Sequence, residues 1–193
     1  LKAQLGLGET IEVMISGSPE RDAALDNGII AHEYGHGLSN RLTGGPSNVG
    51  CLNTTQSGGM GEGWGDWLAL SITATASDTA IDPEPVGTYA IGQPATGPGL
   101  RNHPYSRDLA LSPLTLADIA TLNQPHGIGE VWASALWDLY WNLVDHYGFD
   151  PDLYAGSGGN NLLMQLVLDA MKLQPCDPTF LEARDALLLA DSN

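Results

Sequence analysis

Ala31-His32-Glu33-Tyr34-Gly35-His36-Gly37 is the stretch around which the rest of the chain is arranged. His32 and His36 are four residues apart. On a helix that spacing puts both on one face with Cβ atoms about 5–6 Å apart. Two imidazoles so placed can reach one metal ion at about 2.0–2.1 Å each, the usual zinc–nitrogen distance. Glu33 sits one step round the helix, beside the metal and not on it, where a carboxylate serves as general base. With five His and eight Glu in 193 residues, the pattern arises by chance in roughly one such chain in two hundred. The reading therefore needs a third ligand, a partner for a ligand imidazole and a group to stabilise developing charge.

The helix that carries the pair has recognisable ends. Asp22 is a candidate cap, and Leu25, Ile29, Ile30 and Tyr34 follow a helical period. Thr43-Gly44-Gly45-Pro46 stops it. Upstream, residues 9–15 alternate loosely and are rich in β-branched side chains, which predicts a short strand. Downstream, the pattern predicts a helix over about 59–76, a Pro- and Gly-rich stretch over 77–112, and a short helix over about 115–122. A long helix follows over about 128–147, then helices at about 160–173 and 178–190, the last capped by Asp177 with Pro178 in its first turn. After residue 16 the chain reads as almost all helix. An irregular stretch as long as 77–112 is uncommon unless functional, and we expect it to form an ordered wall of a cleft.

Zinc hydrolases commonly use three protein ligands and leave one position open. A third His at position 42 would complete one known pattern, but that residue is Leu42. Met60-Gly61-Glu62-Gly63-Trp64-Gly65-Asp66 offers a carboxylate instead. Glu62 and Asp66 are four apart and face the same way, so Glu62 can ligate while Asp66 accepts the hydrogen bond of a ligand imidazole. The ordinary alternative is a solvated helix acid. Against it stand the flanking Gly and Trp residues, a close-packed apolar setting in which an unpaired carboxylate is costly. Glycines cost a helix up to about 1 kcal/mol each, so Gly61, Gly63 and Gly65 mark a segment approached closely by another backbone.

His126 lies between a loop and a helix start, where capping and catalysis explain it equally well. His103 and His146 carry no motif and read as structural. Arg101 and Arg107 could each bind a substrate carbonyl or the backbone, and Arg101 is taken as the substrate-binding candidate. Cys51 and Cys176 could bridge in an oxidising compartment or stay as buried thiols. Asp-rich loops at 78–84 and 150–152 could hold calcium, but neither has EF-hand spacing.

Composition narrows the partners. The formal net charge is −16, from 23 acids against 7 bases, which speaks against nucleic acid and anionic membrane surfaces. No apolar run approaches the ~18 residues of a spanning helix. The chain opens at Leu1 without a signal peptide, as expected of a processed or trimmed piece. Oligomeric state leaves no mark in the sequence.

His32-Glu33-Tyr34-Gly35-His36-Gly37, Ser39-Asn40-Arg41-Leu42-Thr43-Gly44-Gly45 and Gly61-Glu62-Gly63-Trp64-Gly65-Asp66 together resemble the fungalysin family. These are secreted zinc metalloendopeptidases of the thermolysin-like, gluzincin group. The likeness extends to His126-Gly127-Ile128-Gly129-Glu130-Val131-Trp132 and Leu173-Gln174-Pro175-Cys176. It implies one zinc ion on His32, His36 and Glu62, Glu33 as base, and His126 as the transition-state histidine. It also implies a mainly α fold, the helical C-terminal part of a zincin, acting on protein or peptide substrates outside the cell. Residues 1–193 are then one catalytic subdomain without the family's upstream β-rich half. That shortfall keeps two further readings open: a non-catalytic, zinc-stabilised binding module, and a zinc exopeptidase.

Overall fold

In the computed structural model, residues 20–193 are described in full, preceded by the backbone strands of residues 2–5, 9–12 and 15–16. Strand β1 (Lys2–Leu5) pairs antiparallel with β2 (Glu9–Glu12), Lys2 opposite Glu12 and Leu5 opposite Glu9. Strand β3 (Ile15–Ser16) pairs antiparallel with β4 (Arg21–Asp22). Of the strand expected over 9–15, residues 9–12 form β2 and residue 15 opens β3; residues 13 and 14 lie outside the described residues. Five helices carry the rest: α1 (Asn27–Leu42), α2 (Thr55–Thr73), α3 (His126–Tyr147), α4 (Gly159–Leu173) and α5 (Phe180–Asp191). The fold is mainly α, as expected. None of these helices is long and apolar enough to cross a membrane.

Glycine sets where the first three helices touch. A Cβ added to Gly35 on α1 would lie 2.7 Å from Gly65 Cα on α2, and one added to Gly63 would lie 2.7 Å from Gly129 O on α3. The helix glycines thus cost propensity but let α2 lie against both neighbours at backbone distance. The core behind that contact is aromatic. Trp64, Trp67, Trp132, Trp137 and Tyr140 are all buried, with the Trp137 and Tyr140 rings stacked at 4.6 Å.

The same close contact decides which face of α1 is buried. Leu25, Ile30 and Tyr34 are exposed, Tyr34 by 68%. Ala31, His32, Gly35 and Ser39 face inward instead. Small residues win that face because a backbone-to-backbone approach leaves no room for Leu or Tyr.

Three helix starts also differ from expectation. Asp22 caps only the 3-10 turn Ala23–Leu25, while Asp26 caps α1 by accepting from the Gly28 and Ile29 N–H groups. Helix α5 is capped by Thr179 in a reciprocal pair with Glu182. Asp177 turns the other way. Its carboxylate accepts from Asn53 N at 2.6 Å and Ser57 Oγ at 2.9 Å, and so caps α2 from across the molecule. This start, four residues earlier than the expected 59, is tied down by the Cys51–Cys176 disulfide beside it. Closing a loop of 125 residues stabilises by about 4–5 kcal/mol in the chain-entropy account. Gln174 Nε2 donates to the buried Thr43 Oγ1 at 2.7 Å and joins the ends of α4 and α1.

The 77–112 stretch is ordered by backbone hydrogen bonds rather than by regular structure. Glu84 and Tyr105 pair across it in an antiparallel bridge, and Leu100 N donates to Val86 O. Asp26 Oδ2 accepts from Ala90 N and pins the stretch to the start of α1. The Glu84 carboxyl is pushed up to about 7, first by burial and then by the charges of Asp78 and Asp82. A folded pKa above the unfolded value of 4.5 gives stability that is complete below pH 4.5 and lost as pH rises through 7. Glu84→Gln is therefore expected to leave the Tm unchanged at pH 4.5 and to raise it by about 2–4 °C at pH 8. That corresponds to about 1 kcal/mol once solvent screening of this half-exposed group is allowed for. Calorimetry at the two pH values measures it.

Candidate metal centre

Helix α1 presents His32 and His36 on one face, and α2 brings Glu62 against them. The two Nε2 atoms lie 3.1 Å apart. Glu62 Oε2 lies 3.2 Å from His32 Nε2 and 3.7 Å from His36 Nε2. Ligands about 2.0–2.1 Å from a tetrahedral zinc ion stand about 3.4 Å from one another, and the three separations bracket that edge. Among the described residues this is the one group of three such side chains close enough to share a metal ion.

The protons point the same way. Asp66 Oδ1 accepts from His32 Nδ1 at 2.7 Å. Because a carboxylate only accepts, Nδ1 carries the proton and a neutral His32 turns its Nε2 lone pair toward Glu62. Glu62 Oε2 is buried and receives no properly directed hydrogen bond. Lone pairs that converge without donors are the chemistry of a cation site. With only protein around it, His32 is pushed up to about 9; burial opposes the charge, but Asp66 and Glu62 outweigh it. Glu62 is held well below the usual carboxylate range by the two imidazoles, against its own burial. A divalent ion competes with protons for these same positions.

Asp66 is 1% exposed and collects four hydrogen bonds. Besides His32, it accepts from Arg101 Nε at 2.6 Å, from the Arg101 Nη2 at 2.8 Å, and from the Tyr105 hydroxyl at 2.5 Å. Burial opposes its charge, but these donors hold its pKa at about 2. Burial and the Asp66 charge keep the Tyr105 phenol protonated well above its ordinary value. Such a partner fixes the tautomer and orientation of the imidazole it holds.

The group opens on a cleft of about 400 Å³ lined by His32, Glu33, Arg101 and His126, with Ile29, Val86 and Leu100 as its apolar wall. Glu33 is exposed to it, one residue along from His32. His126, the first residue of α3, brings its Nε2 to 3.4 Å from Glu62 Oε2, with the side chain 51% exposed. Arg107 is turned away, its guanidinium 2.8 Å from Asp145 Oδ2. The His103 backbone N–H is held by Glu130. The His146 ring meets Tyr147 edge-on near the end of α3. Two contacts around the site lay beyond sequence reasoning: that of Tyr105 with Asp66, and those of Glu130 with Asn102 and His103. Both depend on a stretch without periodicity, and no spacing rule signals them.

Comparisons with known proteins place the chain in a family. A family model described as fungalysin metallopeptidase (M36) matches residues 12–193. The chain is 46% identical over 179 residues to extracellular metalloproteinase 2 of Arthroderma gypseum, covering 90% of this chain and 28% of that protein. It is 48% identical over 179 residues to extracellular metalloproteinase 9 of Coccidioides posadasii, with the same coverage. It is 45% identical over 186 residues to extracellular metalloproteinase MEP of Neosartorya fischeri, covering 93% of this chain and 29% of that protein. The chain thus spans between a quarter and a third of the length of these relatives. It belongs to the fungalysin metallopeptidase family.

Proposed function

We propose that residues 1–193 of this fungalysin-family chain form a catalytic unit that hydrolyses internal peptide bonds of proteins outside the cell, with zinc on His32, His36 and Glu62. The observation that carries the reading is the set of three donor atoms at tetrahedral-edge separations, open to a cleft that Glu33 and His126 also line. When bound, zinc supplies a Lewis acid that makes water acidic near pH 7 and polarises a carbonyl.

The chain's own residues do the rest. The Glu33 carboxylate takes the proton of the attacking water and hands it to the leaving amine, so that peptide and water become acid and amine. His126, on the facing helix, donates to the oxygen on which negative charge grows. Asp66 holds His32 in the tautomer that leaves Nε2 free. Arg101 lines the cleft while its fork grips Asp66, and it presents its remaining N–H groups to a substrate carbonyl. Extracellular placement follows the names of the relatives and suits a disulfide.

The full-length protein is expected to cleave an N-terminally blocked peptide. A chelator should abolish the cleavage and added zinc restore it. Cutting only unblocked peptides would make it an aminopeptidase. Zinc binding without any cleavage would leave the binding-module reading.

A further inference from the structure

Glu130 is 2% exposed and takes no part in the metal site. It sits on α3 four residues after His126, one helical turn away on the same face. Among the described residues it has no ion-pair partner, and its donors are neutral. Oε1 accepts from the Asn102 N–H at 2.5 Å and the His103 N–H at 3.2 Å, and Oε2 accepts from Asn102 Nδ2 at 2.5 Å. A buried carboxylate is costly to keep unless its bonds are all made, and here all three go to the two residues that directly follow Arg101. Tyr105 comes two residues later. Arg101 and Tyr105 in turn supply three of the four hydrogen bonds that hold Asp66 against His32.

We propose that Glu130 is a positioning residue that latches the Arg101–Tyr105 segment to the helix bearing His126, and so fixes both the Asp66–His32 pair and the distance across the cleft. The inference rests on the metallopeptidase reading above. It predicts a chain of dependence: Glu130 acts on the metal ligand only through Arg101 and Tyr105.

The test measures zinc release into a chelator together with kcat/KM, in the full-length protein. Glu130→Met removes the acceptor and is expected to speed zinc release and lower kcat/KM, each by about tenfold, the lower end of what outer partners of metal ligands show. Glu130→Gln is expected to stay within about threefold of the parent. The Asn102 amide can turn over, so that the carbonyl of the substituted side chain accepts both backbone N–H groups and its NH₂ donates to Asn102 Oδ1. In an Arg101→Met/Tyr105→Phe background, Glu130→Met should cost less than about twofold more, because both residues it acts through are gone. Should Glu130→Met fail to fold, Asn102→Ala, at an exposed position, takes its place in the same cycle with an expected cost of about threefold.

Parent-like zinc release in Glu130→Met overturns the latch, and so does an equal cost in both backgrounds, which is the mark of general packing. An unmodified protein that binds no zinc overturns the metallopeptidase reading and the latch together. If the unmodified protein binds zinc and the variants match it, only the latch falls.

Discussion

Glu33→Gln is expected to lower kcat/KM by about 10³–10⁴ while one equivalent of zinc stays bound, near the upper end of what a general base contributes. The amide keeps the size of the side chain and cannot accept a proton. The metal should not notice the change, because the three donors proposed for it are His32 Nε2, His36 Nε2 and Glu62 Oε2, and Glu33 is none of them. Among the described residues Glu33 makes no ion pair, so its replacement strands no buried charge and the Tm should stay within about 2 °C of the parent. His32→Ala should give the contrasting result, since it removes a proposed ligand and is expected to lose metal and activity together. Elemental analysis beside steady-state kinetics separates the two. Turnover retained in Glu33→Gln would remove the carboxylate from the mechanism and leave the cleft without a base.

The part of the site that a helix imposes was legible in the sequence. His32 with His36, and Glu62 with Asp66, are each four apart, and a helix turns that spacing into a shared face whatever surrounds it. The glycines of α2 were legible as a close approach for the same local reason, and Gly63 does meet Gly129. Arg101, Tyr105 and Glu130 were not legible as one network. Their contacts join α2, α3 and an irregular stretch at separations of 27 to 39 residues, and only the assembled fold brings them together. Asp177 shows the same limit in miniature. A residue that precedes a helix start reads as its cap, yet tertiary structure turns its carboxylate to a different helix 120 residues away. The buried face of α1 was not legible for the opposite reason. Apolar period is a rule for side chains that fill space, and at the Gly35–Gly65 contact the backbones fill it themselves.

The network also concentrates energy at one carboxylate, so Asp66→Ala should be the most destabilising substitution in the site. It leaves the Arg101 guanidinium, with a side chain only 10% exposed, and the fully buried Tyr105 hydroxyl facing no acceptor. Removing one partner of a buried ion pair costs about 3–5 kcal/mol, which for a chain of this size lowers the Tm by roughly 6–20 °C. Zinc affinity should fall about 10–100-fold, because His32 loses the acceptor that fixes its ring. The pH dependence carries the signature. Asp66 has a folded pKa of about 2 against an ordinary 3.8, so the stability it confers is present above pH 3.8 and lost as pH falls through 2. In metal-free protein His32 has a folded pKa of about 9 against 6.5, so its share is present below pH 6.5 and lost as pH rises through 9. The gap in Tm between parent and Asp66→Ala, measured after chelation, should therefore be widest between about pH 4 and 6.5 and narrow on both sides. A gap that stays flat from about pH 2 to pH 9 would mean that neither His32 nor Arg101 draws its charge stabilisation from Asp66. The buried guanidinium would then need another counter-ion, and Glu62, at 4.0 Å from its Nη2, is the nearest one the fold provides.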